Sequence, residues 1–258
     1  MPEHDLALLR AVAVEAGRIA TGFFGGTYIS QDKPDNAGPV TEADLAVNRM
    51  LEDRLRAARP DYGWLSEETE DTADRLAHKR VFIVDPIDGT RNFIEGGKSW
   101  SHSLAVVEEG RVIAAVVFLP MRDRLFAASR GGGATLNDAP IYGSSRSDLS
   151  GATLLSTRPV MKPEFWKNGL VPTVERVYRP SLAYRLALVA QGRFDAMITL
   201  RDSWEWDIAA GALLLEEAGA MVSDRHGAGL VFNNPRPMLS GVVAAGTGMH
   251  GALRGALV

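Results

Sequence analysis

The stretch Val81-Phe-Ile-Val-Asp-Pro-Ile-Asp-Gly-Thr-Arg-Asn-Phe93 constrains what this chain can become more than any other part of it. Its first four residues form a short apolar run rich in β-branched side chains, the pattern of a buried strand. Polarity then reverses. Asp85 and Asp88 bracket a Pro-Ile pair, Gly89 supplies the backbone freedom of a tight turn, and Thr90 stands where a helix can begin. Two carboxylates about 4 Å apart repel by roughly 4 kcal/mol at an effective dielectric of about 20, so a cation belongs between them. Oxygen ligands without Cys or His suit a hard ion such as Mg²⁺, whose shell is completed by water and substrate phosphate. A helix starting near Gly89-Thr90 adds free N–H groups that favour an anion at the same spot. Metal plus phosphate is the expected occupant; an Asp-Pro-x-Asp-Gly turn with no ligand is the plain alternative.

With 258 residues and an apolar content of 46%, the chain can bury a substantial core, as one large domain or two small ones. The formal charge of −4, with signs interspersed, leaves no basic stripe to track a phosphate backbone, so no nucleic-acid partner is expected. Zero Cys removes disulfides, thiolate metal sites and Cys nucleophiles. The opening Met-Pro-Glu-His-Asp is polar and acidic, and no apolar run approaches membrane-spanning length. The expectation is a soluble cytoplasmic protein with no membrane partner.

Leu6 to Phe24 carries apolar residues at helical spacing and is closed by Gly25-Gly26. Gln31 to Pro39, containing Lys33, reads as an exposed loop. A helix is expected from Thr41 to Ala58, and a short strand ending in acid over Tyr62 to Glu68. Trp100 to Pro120 and Leu125 to Leu136 read as successive antiparallel hairpins in one broad sheet. The Ser- and Gly-rich Tyr142 to Ser150 is the seam between an N-terminal α+β half (1–145) and a C-terminal α/β half (146–258) of one catalytic unit. Beyond it, strand signals at Thr153 to Ser156, Val174 to Tyr178 and Phe194 to Leu200 alternate with helices at Met161 to Trp166 and Ser181 to Gln191. Trp204-Glu-Trp-Asp207 opens a helix over Ile208 to Ala218, followed by strands at Ala218 to Ser223 and Gly241 to Ala245 and a weakly helical tail from His250. Such alternation implies a mostly parallel or mixed sheet covered by helices, an α/β (mixed α+β) chain.

Four further acids have ordinary structural readings. Thr41-Glu-Ala-Asp44 fits a capping box, Glu67-Glu68 fits a solvated pair, and Asp207 in a first helical turn complements the dipole by about 0.3–1 kcal/mol. His102 lies in an expected strand and reads as structural rather than catalytic.

Taken whole, Asp85-Pro-Ile-Asp-Gly-Thr90 followed by Asn92-Phe93 resembles the signature of the inositol monophosphatase superfamily, and Trp206-Asp207-x-Ala-x-Gly leading to Glu217-Ala-Gly219 resembles its second signature. The resemblance implies a layered αβαβα fold and a Mg²⁺-dependent, often lithium-sensitive phosphomonoesterase that frequently dimerises. It implies that Glu67, Asp85, Asp88 and Asp207, with the Ile87 carbonyl, hold two or three Mg²⁺ ions. It further implies that Asp44, Glu67 and Thr90 activate the attacking water, and that Gly89, Thr90, Lys33 and Asp207 meet the phosphate or substrate. A non-catalytic interaction protein on the same fold is the alternative from a different class.

Among the superfamily's substrates, 3′-phosphoadenosine 5′-phosphate is expected first, yielding AMP and phosphate. The alternatives are inositol 1-phosphate, histidinol phosphate and fructose 1,6-bisphosphate. Inositol-specific relatives resemble one another in a Glu seven residues before the metal-binding Asp, where this chain has Leu200. The segment Arg179 to Tyr184 also resembles the bisphosphate-nucleotidase branch, and Arg158, Arg179 and Arg185 are candidates for pairing with a second phosphate. Asn92 is spelled as in the inositol branch, and Asp202 and Glu205 are candidate replacements for the missing carboxylate.

Overall fold

The computed structural model describes residues 2–33 and 38–258. Helix α1 (Pro2–Phe23) buries the stripe Leu9, Val12, Ala13, Ala16 and Ala20, as its helical spacing predicts. Strands β1 (Ser30–Asp32) and β2 (Pro39–Thr41) then pair antiparallel, so both ends of the expected loop are strand; residues 34–37 lie outside the described residues. Helix α2 (Glu42–Ala58) starts on a capping box in which Thr41 and Asp44 satisfy each other's backbone N–H groups.

Next come β3 (Gly63–Ser66), β4 (Arg80–Asp88), the five-residue α3 (Thr90–Ile94), β5 (Ser101–Glu108), β6 (Arg111–Leu119), β7 (Arg124–Ser129), β8 (Gly133–Leu136) and β9 (Ala139–Pro140). They build a seven-stranded sheet in chain order, antiparallel throughout except for the parallel pair β3 and β4. The expected hairpins are present. The second half supplies β10 (Thr153–Leu155), β11 (Glu175–Val177), α4 (Leu182–Ala190), β12 (Ala196–Thr199), β13 (Ser203–Trp204), α5 (Glu205–Glu217), β14 (Ala220–Ser223), β15 (Met238–Leu239), β16 (Val242–Gly246) and α6 (Thr247–Ala256). Its main sheet runs β11-β10-β12-β16-β14 with parallel and antiparallel pairs, the mixed sheet expected from alternation. Met161 to Trp166 is not a helix: Pro159 and Pro163 each start a separate 3₁₀ turn, because proline cannot continue the preceding hydrogen-bond pattern.

Three apolar clusters stack these elements into an αβαβα sandwich. One lies between α1, α2 and the large sheet; a second lies between that sheet, α4, α5 and the small sheet; a third lies between the small sheet and α6. The middle cluster draws on both halves of the chain, and it holds the two helices that face the end of β4. Two clasps fix the start of α5. Glu205 accepts hydrogen bonds from the Asn233 and Asn234 N–H groups, and Arg75 donates to the Asn233 side chain and the Asn234 carbonyl while paired with Asp71. Among the described residues, no helix is long and apolar enough to cross a membrane.

Helices α4 and α5 pack so closely that a Cβ at Gly211 would stand 2.5 Å from Cβ of Leu186. Gly211→Val is expected to destabilise the fold by about 1–3 kcal/mol through overpacking. A thermal melt reads this as a midpoint lower by at least about 2 °C; an unchanged midpoint would show that the two helices separate freely.

Candidate active site

A bulge decides where the two aspartates of β4 point. In an unbroken strand, residues three apart face opposite sides of the sheet. Here Asp85 pairs with Ser103 and Asp88 with Ser101, so three steps along β4 answer two along β5. The extra residue falls at Pro86-Ile87, where a residue without an N–H fits a break in the ladder. Phe82, Val84 and Ile87 accordingly pack toward α1 and α2, while Val81 and Ile83 face α4 and α5, and Asp88 joins Asp85 on that second side. The Pro86 carbonyl is satisfied by Nδ1 of His102. Burial pushes the His102 imidazole down to about 4, so it is neutral at pH 7 with the proton on Nδ1. His102 is structural, as its place in a strand suggested.

Asp88 meets the start of α4. Ser181, the N-cap, donates its hydroxyl proton to Asp88 Oδ2 at 2.5 Å and accepts the Tyr184 N–H at 2.9 Å. The Ala183 N–H also donates to Asp88 Oδ2, at 2.7 Å. Buried Arg185 lies close enough to favour the ionised carboxylate. Burial still raises Asp88 above the ordinary carboxylate range, against these donors.

Asp207, in the first turn of α5, completes the cluster. That turn is anchored to β5 where Ser103 Oγ donates to the Trp206 carbonyl. Carboxylate oxygens of Asp85, Asp88 and Asp207 all lie within 4.8 Å of one another. Burial, then the Glu67 and Asp88 charges, hold Asp85 well above the usual range, and burial with Asp88 and Glu67 does the same to Asp207. Both oxygens of Asp85 are buried and have no hydrogen-bond partner among the described residues. A buried carboxylate without donors costs several kcal/mol unless a proton or cation compensates it. An all-oxygen set with two orphaned acceptors fits a hard divalent cation.

Around this cluster the remaining expected residues fall into two groups. Asp44, Thr90 and Ile87 are linked, since the Thr90 hydroxyl lies 3.2 Å from Asp44 Oδ1 and 3.1 Å from the Ile87 carbonyl. Burial raises Asp44 to about 6. Glu67 lines the same pocket but gives one oxygen to Lys33 Nζ at 2.7 Å, and Glu68 takes that ammonium at 2.6 Å. Lys33 is thus committed to two glutamates. Gly89 lines the pocket at φ +100°, where a side chain would strain the backbone. The helix behind it, α3, has only five residues, so its dipole is weaker than the sequence pattern implied.

The pocket, about 270 Å³, is completed by Arg201, Asp202, Ser203, Trp204 and Trp206. The two indoles stack with centroids 4.7 Å apart and planes 9° apart. Glu205 is not a replacement for the missing carboxylate: it is fully buried and occupied by the 233–234 backbone. Asp202 does line the pocket, 3.6 Å from Arg225. Arg158 and Arg179 do not line it, and Arg185 is buried with Nε on the Ser181 carbonyl. Sequence reasoning overlooked Arg201, Trp204 and the second bond of Ser181. The first two sit in the departing segment beside Leu200, whereas nothing local in the chain links Ser181 to Asp88, 93 positions earlier. Asn92 holds the following loop, its Oδ1 accepting the Ser99 N–H.

The whole-chain comparisons are consistent with this geometry. Residues 1–257 match the family model described as "Inositol monophosphatase family". A protein named "Inositol-1-monophosphatase" from Rhizobium meliloti (strain 1021) is 37% identical over 223 residues, covering 80% of this chain and 77% of that one. "Nus factor SuhB" of Escherichia coli (strain K12) is 34% identical over 247 residues, with 87% and 91% covered. Among solved structures, the IMPase of Thermotoga maritima superposes with a TM-score of 0.81 at 28% identity, covering 99% of this chain and 96% of that one.

Because His102 is held near 4 when folded against about 6.5 when unfolded, its neutral form stabilises the fold fully above pH 6.5. That contribution, on the order of 3 kcal/mol, is lost as pH falls through 4. His102→Asn does not titrate there, so between pH 6.5 and 4 the parent is expected to lose more stability than the variant in denaturant titrations. Parallel pH profiles would contradict a buried neutral His102.

Proposed function

The chain belongs to the inositol monophosphatase family, a family of phosphoric monoester hydrolases, and from this premise we propose that it hydrolyses a small phosphorylated metabolite with Mg²⁺ held by Asp85, Asp88 and Asp207. The observation that carries the reading is the donor-free Asp85 carboxylate inside a cluster of three acids. When bound, Mg²⁺ supplies concentrated positive charge opposite the phosphoryl group and makes water a stronger nucleophile. Glu67 and the Ile87 carbonyl extend the oxygen set, enough for two or three ions. Thr90, with its hydroxyl against Asp44, orients the water, and Asp44 is placed to hold the proton it gives up. The N–H groups of Gly89 and Thr90 receive the phosphate. Lys33 holds Glu67 in position and tempers its charge. Phosphoryl transfer leaves a protein little covalent work, so this positioning and charge neutralisation account for most of the catalysis. Lithium sensitivity and a homodimer belong to the same reading.

For the leaving group, the Rhizobium meliloti relative's name favours inositol 1-phosphate, and Asp202 in the pocket offers a carboxylate to ring hydroxyls. This reverses the order expected from Leu200, the Arg179 to Tyr184 segment and the candidate arginines. A second reading, 3′-phosphoadenosine 5′-phosphate, rests on a specific feature: Trp204, 38% exposed and stacked on Trp206, presents an indole face beside Arg201. Such a face stacks on a base and the guanidinium pairs with a second phosphate. The relatives named Nus factor keep an interaction role in view, but a cluster of buried acids is costly to retain for a scaffold alone.

Asp88→Asn is expected to lower kcat about 10³-fold or more while the protein stays folded, since an amide cannot supply the charge that holds the ion. Exhaustive chelation is expected to abolish turnover and Mg²⁺ to restore it; near-normal activity in either experiment would refute the site. The substrate is read from kcat/KM for inositol 1-phosphate and 3′-phosphoadenosine 5′-phosphate at saturating Mg²⁺, where the inositol ester is expected to be higher. A higher value for the nucleotide would transfer the assignment to the second reading.

A further inference from the structure

A second pocket, of about 510 Å³, is nearly twice the size of the carboxylate pocket and shares no lining residue with it. It opens between the loop after α3, the β6–β7 turn, the segment leading into α4 and the turn that follows α4. Lys98, Arg122, Arg124, Arg179 and Arg193 line it, and no Asp or Glu does. Among the described residues, none of these five cations has a carboxylate oxygen within 4.0 Å. The acids nearest in sequence, Glu95, Asp123 and Asp195, lie outside the lining; Glu95 and Asp123 are exposed, and Asp195 accepts hydrogen bonds from Ser144 and Thr153.

Three of the four guanidiniums are nevertheless held in place by neutral acceptors. Arg122 donates to the Lys98 carbonyl at 2.8 Å and to Ser99 Oγ at 3.0 Å; Arg124 reaches Gln191 Oε1 at 3.4 Å. Arg179 donates to the Tyr178 carbonyl at 2.8 Å and lies over the Phe194 ring at 5.7 Å. Neutral acceptors fix direction without cancelling charge, so five positive groups face one concavity in a chain whose net charge is −4. Mutual repulsion among them is relieved by a ligand that brings negative charge and several acceptor oxygens. A concave pocket of this size suits a small molecule better than an extended nucleic-acid backbone.

We propose that this pocket binds a small free polyanion carrying at least two phosphate groups, at a site separate from the carboxylate cluster and independent of metal. Exposed Tyr178 at its rim offers an aromatic face to a nucleotide base, which distinguishes a nucleoside diphosphate from a bare phosphate chain.

The test is calorimetric titration of the full-length protein with inorganic pyrophosphate, with and without Mg²⁺, compared with the double variant Arg122→Gln/Arg193→Gln. One pyrophosphate site per chain is expected in both conditions, weakened by about tenfold or more in the double variant. Mg²⁺-dependent phosphatase turnover of that variant is expected to stay within about twofold of the parent. ADP binding more tightly than pyrophosphate would identify a nucleotide as the source; equal affinities would identify the phosphate chain alone. Absence of metal-independent binding overturns the proposal, whether the pocket is idle or covered by a second copy of the chain. Binding that the double variant leaves unchanged overturns it too, as does a single-stranded RNA that binds while saturating pyrophosphate fails to displace it. A loss of phosphatase turnover in the parent itself would instead count against the catalytic reading and leave this site standing.

Discussion

Everything around the end of β4 answers one constraint: three acids are brought together, Asp85 and Asp88 buried and Asp207 partly so. The bulge at Pro86-Ile87 creates the problem by placing Asp85 and Asp88 on one side of the sheet. The answers come from different directions. Asp88 is met by the hydroxyl and N–H groups at the start of α4 and by buried Arg185. Asp85 is met by no hydrogen-bond donor among the described residues. That asymmetry separates a helix-capping arrangement, which satisfies every oxygen, from a binding site, which leaves some unsatisfied.

The bulge has a cost of its own, and His102 meets it. A carbonyl turned out of the ladder and away from water needs a donor. A neutral imidazole in the adjacent strand provides one without adding charge near three acids. A lysine there would instead place a positive charge beside the three acids. The packing of Trp100 and Phe118 against the ring keeps it dry and uncharged. The aromatic core of the sheet and the electrostatics of the pocket are therefore one arrangement.

Local chemistry made much of this legible in the chain. The apolar run to Val84, the Thr41 capping box and the turn at Gly89 announce themselves within a few residues, and the hairpins follow from alternation between turn residues. The family resemblance brought in Glu67 and Asp207, whose isolated readings were ordinary surface and helix chemistry. What stayed hidden depends on pairing across the fold. Glu205 sits beside Asp207 and looked equally available, yet its partners are backbone groups at 233 and 234. Lys98, Arg122, Arg179 and Arg193 are scattered single cations in the sequence, and only the convergence of four chain segments gathers them. The helix expected over Met161 to Trp166 is replaced by short 3₁₀ turns, each carrying a proline near its start.

Arg75 and Glu205 reach the same loop at 233–235 from the first and second halves of the chain, 158 and 28 positions before Asn233 respectively. Their clasp seats the first turn of α5, on which Asp207 rides. Contacts of such long sequence separation form late, because closing large loops comes before any reward from packing. During synthesis, β4 leaves the ribosome well before the loop that fixes α5 exists. A nascent chain therefore displays an acidic strand end before Asp207 has been seated beside it.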